Sequence, residues 1–257
     1  MSTTQQAPST SARPITLEPA TTGSTSQMTG ARVAGAGYIA IFVLAIFANF
    51  LAIGSVLSPG DAGATAESLA ASHGTVRIGA IAFLVIFVLD IAVAWALHML
   101  FRRVHTDLSL LSAWFRLGYS IMLGTALVFL FAALALVSDP TLADSGSDAQ
   151  VLLALRAFDF TWVAGLAAFG IHLVLLGRLL QLTDGAPKAL AYILMVAGTA
   201  YAVDTVAHLA LADYEAWSTV FLAIVAIPSV IGEAWLAVWL LLVATGRRAV
   251  PVPVTVR

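Results

Sequence analysis

Six apolar stretches divide this chain, and each exceeds the roughly 20 residues a helix needs to cross hydrocarbon. They run approximately over Val33–Leu57, Ile78–Phe101, Leu108–Val137, Ala149–Leu180, Ala189–Leu211 and Trp217–Thr245. The runs are continuous, not short alternating segments, which excludes a membrane β-barrel. Only 10% of the residues are charged and 60% are hydrophobic, against about 25% charged in a soluble domain. A single soluble core cannot hide that much apolar surface. The expected fold is all-α: a polytopic six-helix transmembrane bundle over residues 31–246. Residues 1–30, rich in Ser, Thr and Gln, read as a disordered cytoplasmic tail, and residues 247–257 as a second, short one.

The connections between the spans alternate in sign. Arg102, Arg103 and His105 separate the second and third spans, Arg178 and Lys188 flank the fourth connection, and Arg247 and Arg248 follow the sixth span. The other connections are acidic: Asp61 and Glu67, then Asp139, Asp144 and Asp148, then Asp213 and Glu215. Basic loops mark the cytoplasmic side. All of them fall on one face only with six crossings and both termini in the cytoplasm, so the expected location is the inner (plasma) membrane. In the first outer loop, the alanine-rich run after Pro59 and Gly60 predicts a short surface helix.

The absence of cysteine excludes disulfides, thiolate metal sites and cysteine nucleophiles. A net charge of −2 argues against nucleic acid as a partner. No phosphate loop, zinc-protease helix or nucleophile elbow is present, so no catalytic residue is assigned and no cofactor is expected. A haem shared by His172 and His208 fails on depth, since the two differ by about 20 Å along the membrane normal. His98 and His172 both fall towards the cytoplasmic side, but nothing else points to a haem.

Charges inside the spans carry the functional information, because each costs about 2.5–3.5 kcal/mol in hydrocarbon unless it is paired or solvated. Measured from the nearest cytoplasmic charge at ~1.5 Å per residue, Arg116 lies roughly 14 Å deep, Asp90 roughly 18 Å and Glu233 roughly 21 Å. These three are expected to approach one another near the midplane, with Arg116 touching Asp90 or Glu233. Two acids then face one arginine, and the surplus carboxylate must be protonated, solvated or bound to a cation. A second group, Asp204 with Arg156 and Asp159, lies nearer the outer side. Arg156 and Asp159 are three residues apart and so can pair along their own helix.

Helical spacing sorts these residues into faces. Ser112, Arg116, Tyr119 and Ser120 form one polar stripe; Ala197, Tyr201, Asp204 and His208 form another. Ser229, Gly232 and Glu233 share a face of the last span, one turn beyond Pro228, which frees the carbonyl of Ile224.

Several runs resemble one family. They are Arg-Val-Ala-Gly-Ala-Gly-Tyr from Arg32, Pro-Gly-Asp-Ala-Gly-Ala-Thr-Ala from Pro59 and Arg-Ile-Gly from Arg77. Ala-Trp-Phe-Arg-Leu ends at Leu117, Phe-Gly-Ile-His-Leu-Val-Leu-Leu-Gly starts at Phe169, Tyr-Ala-Val-Asp at Tyr201 and Pro-Ser-Val-Ile-Gly-Glu at Pro228. In their order and spacing the chain is similar to a bacterial family of six-pass membrane proteins known as domain of unknown function 4386. The resemblance implies one six-helix domain and places Arg116, His172, Asp204 and Glu233 in the family's pattern; it brings no activity.

Three functions fit these features. The first is proton- or cation-coupled transport of a small solute, with Asp90, Arg116, Glu233, His172 and Asp204 as candidate site residues. The second is a lipid-modifying enzyme working near Asp204 and His208. The third is a non-catalytic module that binds a partner or forms a homo-oligomer, with Gly35, Gly37, Gly165 and Gly170 allowing close helix packing. A non-enzymatic role ranks above a catalytic one.

Overall fold

The computed structural model describes residues 22–58, 60–139, 141–142 and 147–254. Among them the chain forms helices α1 (Thr22–Ile46, continued by a π-helical segment, Phe47–Ile53), α2 (Ala62–Ala71) and α3 (His73–Phe101). Then follow α4 (Thr106–Ser138), α5 (Ser147–Gln181), α6 (Lys188–Ala210), a 3-10 turn (Tyr214–Trp217) and α7 (Ser218–Ala244). Six segments are long and apolar enough to cross a membrane; all the long helices belong to them, and α2 does not.

The six long helices close into a ring. α1 packs on α3, α3 on α4, α4 on α5, α5 on α6, α6 on α7, and α7 returns to α1. Glycine sets the tightest of these approaches. A methyl group on Gly170 of α5 would overlap the carbonyl oxygen of Gly198 on α6, and the reverse also holds. Gly35 faces Leu241, Gly37 faces Val93 and Gly165 faces Met122. These four glycines are thus used to pack the ring itself.

The short helix expected in the first outer loop is α2. Asp61 caps it, accepting a hydrogen bond from the Ala64 amide at 2.9 Å, and Thr65 and Leu69 are buried where α2 packs on α3, α4 and α5. Asp144, counted among the acidic loop residues, lies outside the described residues.

At the end of the ring that carries both termini, the sequence reading needs correction. Residues 1–21 of the expected tail lie outside the described residues, but Thr22–Gly30 is helical. Gln27 is buried, and its side-chain amide donates to the carbonyls of Leu100 (3.1 Å) and Pro251 (3.0 Å). Composition misjudges this stretch because one polar side chain with both protons satisfied packs as readily as an apolar one. Nor is the segment after α7 a free tail. The Asp184 amide donates to Val252 O (2.9 Å) and the Val254 amide to Leu182 O (3.0 Å), while Pro251 is buried. The segment therefore straps across the end of the ring, joining the α5–α6 turn to α1 and α3.

Candidate functional site

Every helix of the ring sends a polar or aromatic side chain to a common level. α1 supplies Tyr38, α3 Asp90, α4 Arg116 and Tyr119, α5 Phe169 and His172, α6 Tyr201, and α7 Ser229 and Glu233. Arg116 lies at the centre and is 1% exposed. Its stripe partners Ser112, Tyr119 and Ser120 are buried with it, as the spacing requires.

The Arg116 guanidinium is committed on three sides. Nη2 donates to Oδ1 of Asp90 in a short ion pair. Nη1 donates to the Tyr38 hydroxyl (2.7 Å) and approaches Nε2 of His172 (3.3 Å). The guanidinium also lies over the faces of Tyr38 and Phe169, at 4.7 and 5.3 Å from the ring centroids, a geometry that stabilises a desolvated cation. Its Nε is buried without a hydrogen-bond partner among the described residues.

His172 is oriented by the same network. An arginine N–H can only donate, so Nε2 of His172 accepts and the ring proton sits on Nδ1. From there it reaches the Ser112 carbonyl at 2.9 Å, with the Ser112 hydroxyl also at 2.9 Å. Both ring nitrogens are thereby used. His98 is occupied separately, its Nδ1 lying 3.0 Å from the Ser109 hydroxyl.

Phe169 organises the rings around it, with centroid distances of 5.0 Å to Tyr119 and 5.4 Å to Tyr201. On α7, Ser229 donates to the Val225 carbonyl at 2.7 Å, and the Tyr201 hydroxyl lies within hydrogen-bonding reach of Ser229.

Glu233 is the exception in this network. Its carboxylate lies within electrostatic range of Arg116, Asp90, Tyr38 and Tyr201, yet among the described residues it forms no ion pair and accepts no hydrogen bond. It is only partly buried, although its helical neighbours Ser229, Gly232 and Leu236 are buried. Of the two acids expected beside Arg116, Asp90 makes the contact and Glu233 does not.

Asp204 belongs to a different group, nearer the opposite end of the ring. It accepts a hydrogen bond from the Tyr214 hydroxyl at 2.7 Å and lies 3.6 Å from Nδ1 of His208. The His208 ring stacks on Tyr214 at 3.5 Å. The expected Arg156–Asp159 pair is not formed: both residues are exposed, and no ion pair joins them. The 35-residue α5 is longer than hydrocarbon requires, so charges in its first turns can be solvated without each other. Two surface hollows lie at this end, one lined by Arg77, Ser138 and Asp139, the other by Glu67, Asp148 and Val151. Neither touches the central residues. Among the described residues no cluster of three or more histidine or acidic side chains could hold a metal ion.

Tyr38 and Phe169 were not legible as site residues. The available signal was depth: Tyr38 is a lone hydroxyl directly after the glycine pair Gly35 and Gly37, and Phe169 lies three residues before His172 on the same face.

An "Uncharacterized protein" of Archaeoglobus fulgidus is 32% identical over 119 residues, 46% of this chain and 60% of that relative. The match therefore covers less than two thirds of the relative's length. No solved structure matches. The family model described as Domain of unknown function (DUF4386) matches residues 33–244, a range that takes in all six long helices apart from the first turns of α1 and includes every central residue, and the chain belongs to that family.

Proposed function

We propose that this multi-pass membrane protein carries a proton or a small cationic solute, with Glu233 as the carboxylate that receives it. The observation that carries this reading is the imbalance at the ring's centre. Arg116 is the one basic group in electrostatic range of Glu233 among the described residues, and Asp90, Tyr38 and His172 already occupy it. A carboxylate at this depth without a partner needs a proton, water or a cation. The Arg116–Asp90 pair serves as the fixed frame, and Pro228 lets α7 move relative to that frame. Both termini lie in the cytoplasm, in keeping with the basic residues at their end of the ring. The lipid-modifying alternative has less support, because Tyr214 already engages the Asp204 carboxylate.

The test is flux into proteoliposomes. Purified protein should dissipate an imposed proton or cation gradient, and Glu233→Gln, which keeps the shape and removes the charge, should abolish that flux. A folded Glu233→Gln variant with unchanged flux would overturn the assignment. Reporter fusions after Arg103 and Arg248 test the orientation: both should read cytoplasmic.

A further inference from the structure

The ring is closed unequally along its length, and the inequality lies at the junction of α1 and α7. In the half bearing the termini the junction is tight: Gly35 sits against Leu241, and Ala31, Ala34 and Tyr38 are buried. In the other half the burial of both helices ends. No residue of α7 from Ser218 to Pro228 is buried; burial begins at Ser229 and recurs through Ala244. α1 shows the same break, with no buried residue between Tyr38 and Ala48. Ala48 is buried on the side facing Gly79 of α3, away from this junction. Pro228 falls at the boundary, where it removes a backbone hydrogen bond and favours a bend.

The start of α7 is nevertheless held. Tyr214 donates to Asp204 of α6, stacks on His208 and lies 5.5 Å from the Phe221 ring. The outer arm of α7 is thus tied to α6, and the gap faces α1. At its base are Tyr38 and the unpartnered, partly exposed Glu233. Its walls are apolar and partly exposed: Ile41 and Ala45 on α1, and Ala226, on the same face as Glu233, on α7.

We infer that the outer half of the α1–α7 junction is a lateral entrance from the lipid to Glu233, and that its ligand is a membrane-dissolved aliphatic amine. This rests on the reading of Glu233 as a cation-receiving carboxylate and names the class of cation and its route. An inorganic ion would have to cross hydrocarbon bare, which is strongly unfavourable. An aliphatic amine crosses as the neutral base and takes the proton of the Glu233 carboxyl. One N–H bond forms as one O–H bond breaks, leaving an ammonium–carboxylate pair with the alkyl chain between the apolar walls. No further reactant is required.

Because the chain has no cysteine, a single introduced thiol reports on the gap. Ala226→Cys is placed in proteoliposomes permeabilised so that reagents reach both faces, with Ala45→Cys as a second reporter should the first misfold. A charged group at mid-membrane costs about 2.5–3.5 kcal/mol, on the order of a hundredfold in partition. A lipid-soluble maleimide should therefore label the thiol faster than a charged maleimide by about that factor. Dodecylamine should slow labelling several-fold and dodecanol should not. Protection by the amine, but not labelling, should vanish in Glu233→Gln. Tyr214→Phe, which releases the arm, should speed labelling. Equal labelling by both maleimides would overturn the lateral entrance, and equal protection by amine and alcohol would overturn the amine. If either occurs while flux still depends on Glu233, this inference fails and the proposed function stands; loss of both dependences removes the proposed function as well.

Discussion

Arg116 on α4 and Asp90 on α3 form an ion pair in which neither side chain exposes more than 2% of its surface. Two ions so fully removed from solvent hold each other in place. Loss of one leaves the other uncompensated, whereas loss of both removes the charges together and leaves a packing defect with the Tyr38 hydroxyl and His172 Nε2 short of one donor.

Asp90→Leu and Arg116→Leu should therefore each destabilise the protein by about 3–5 kcal/mol. The double variant Asp90→Leu/Arg116→Leu should lose much less than the sum. Thermal melts of the purified protein in one detergent complete the cycle; additive losses would show that the two groups act independently.

The contact of α5 and α6 predicts a contrast between two glycines. A methyl on Gly198 meets the Gly170 carbonyl and the Val174 amide nitrogen, backbone groups that cannot swing aside. Gly198→Ala should cost about 1–3 kcal/mol. Gly118, within α4, has nothing within 4 Å of the added methyl. There alanine should instead stabilise the helix by about 0.5–1 kcal/mol. Melting temperatures of opposite sign would confirm the contrast.

Gln27→Leu keeps the volume and removes both donated hydrogen bonds, leaving the Leu100 and Pro251 carbonyls without that donor. A loss of about 1–3 kcal/mol is expected for each carbonyl left unsatisfied. The strap should also become a protease target, read as loss of a C-terminal epitope tag while the rest of the protein stays intact.

Asp139, beyond the end of α4, predicts a pH response in its loop. Hydrogen bonds from the Thr141 hydroxyl (2.7 Å) and amide (2.9 Å) hold its carboxyl below the usual carboxylate range. Its folded value is depressed, so its contribution is complete above the ordinary carboxylate value and is lost as pH falls through the depressed one. Exchange of the Thr141 amide, corrected for its intrinsic pH dependence, should accelerate across that acidic window. Asp139→Asn should flatten the profile.

Sequence periodicity was enough for the spans, α2 and the expectation that Arg116 meets an acid of another helix, because depth along a helix follows from its rise. It could not separate Asp90 from Glu233 as the partner of Arg116. Both reach similar depths, and the choice depends on α7 lying across the ring from α4. His172 was expected near the end of its span, and nothing in its own helix shows that Ser112 and Arg116 meet it there. The Arg156–Asp159 pairing failed for a related reason: spacing permits contact along a helix, but solvation at its outer turns makes contact unnecessary. The helical start at Thr22 was hidden because polar composition resembles a tail until a partner for Gln27 is known.

The closing of the ring by its first and last long helices also bears on biosynthesis. Leu241 follows Gly35 by 206 residues. At the usual 5–20 residues per second of translation, α1 waits roughly 10–40 s in the bilayer before the helix that seals it emerges. During that interval Tyr38 can meet Arg116 as soon as α4 is inserted, while the face that will receive α7 stays open to lipid. The α1–α7 junction is the last interface to assemble, and until it does the protein exists as a five-helix arc with an exposed edge, the form a membrane quality-control protease would encounter first.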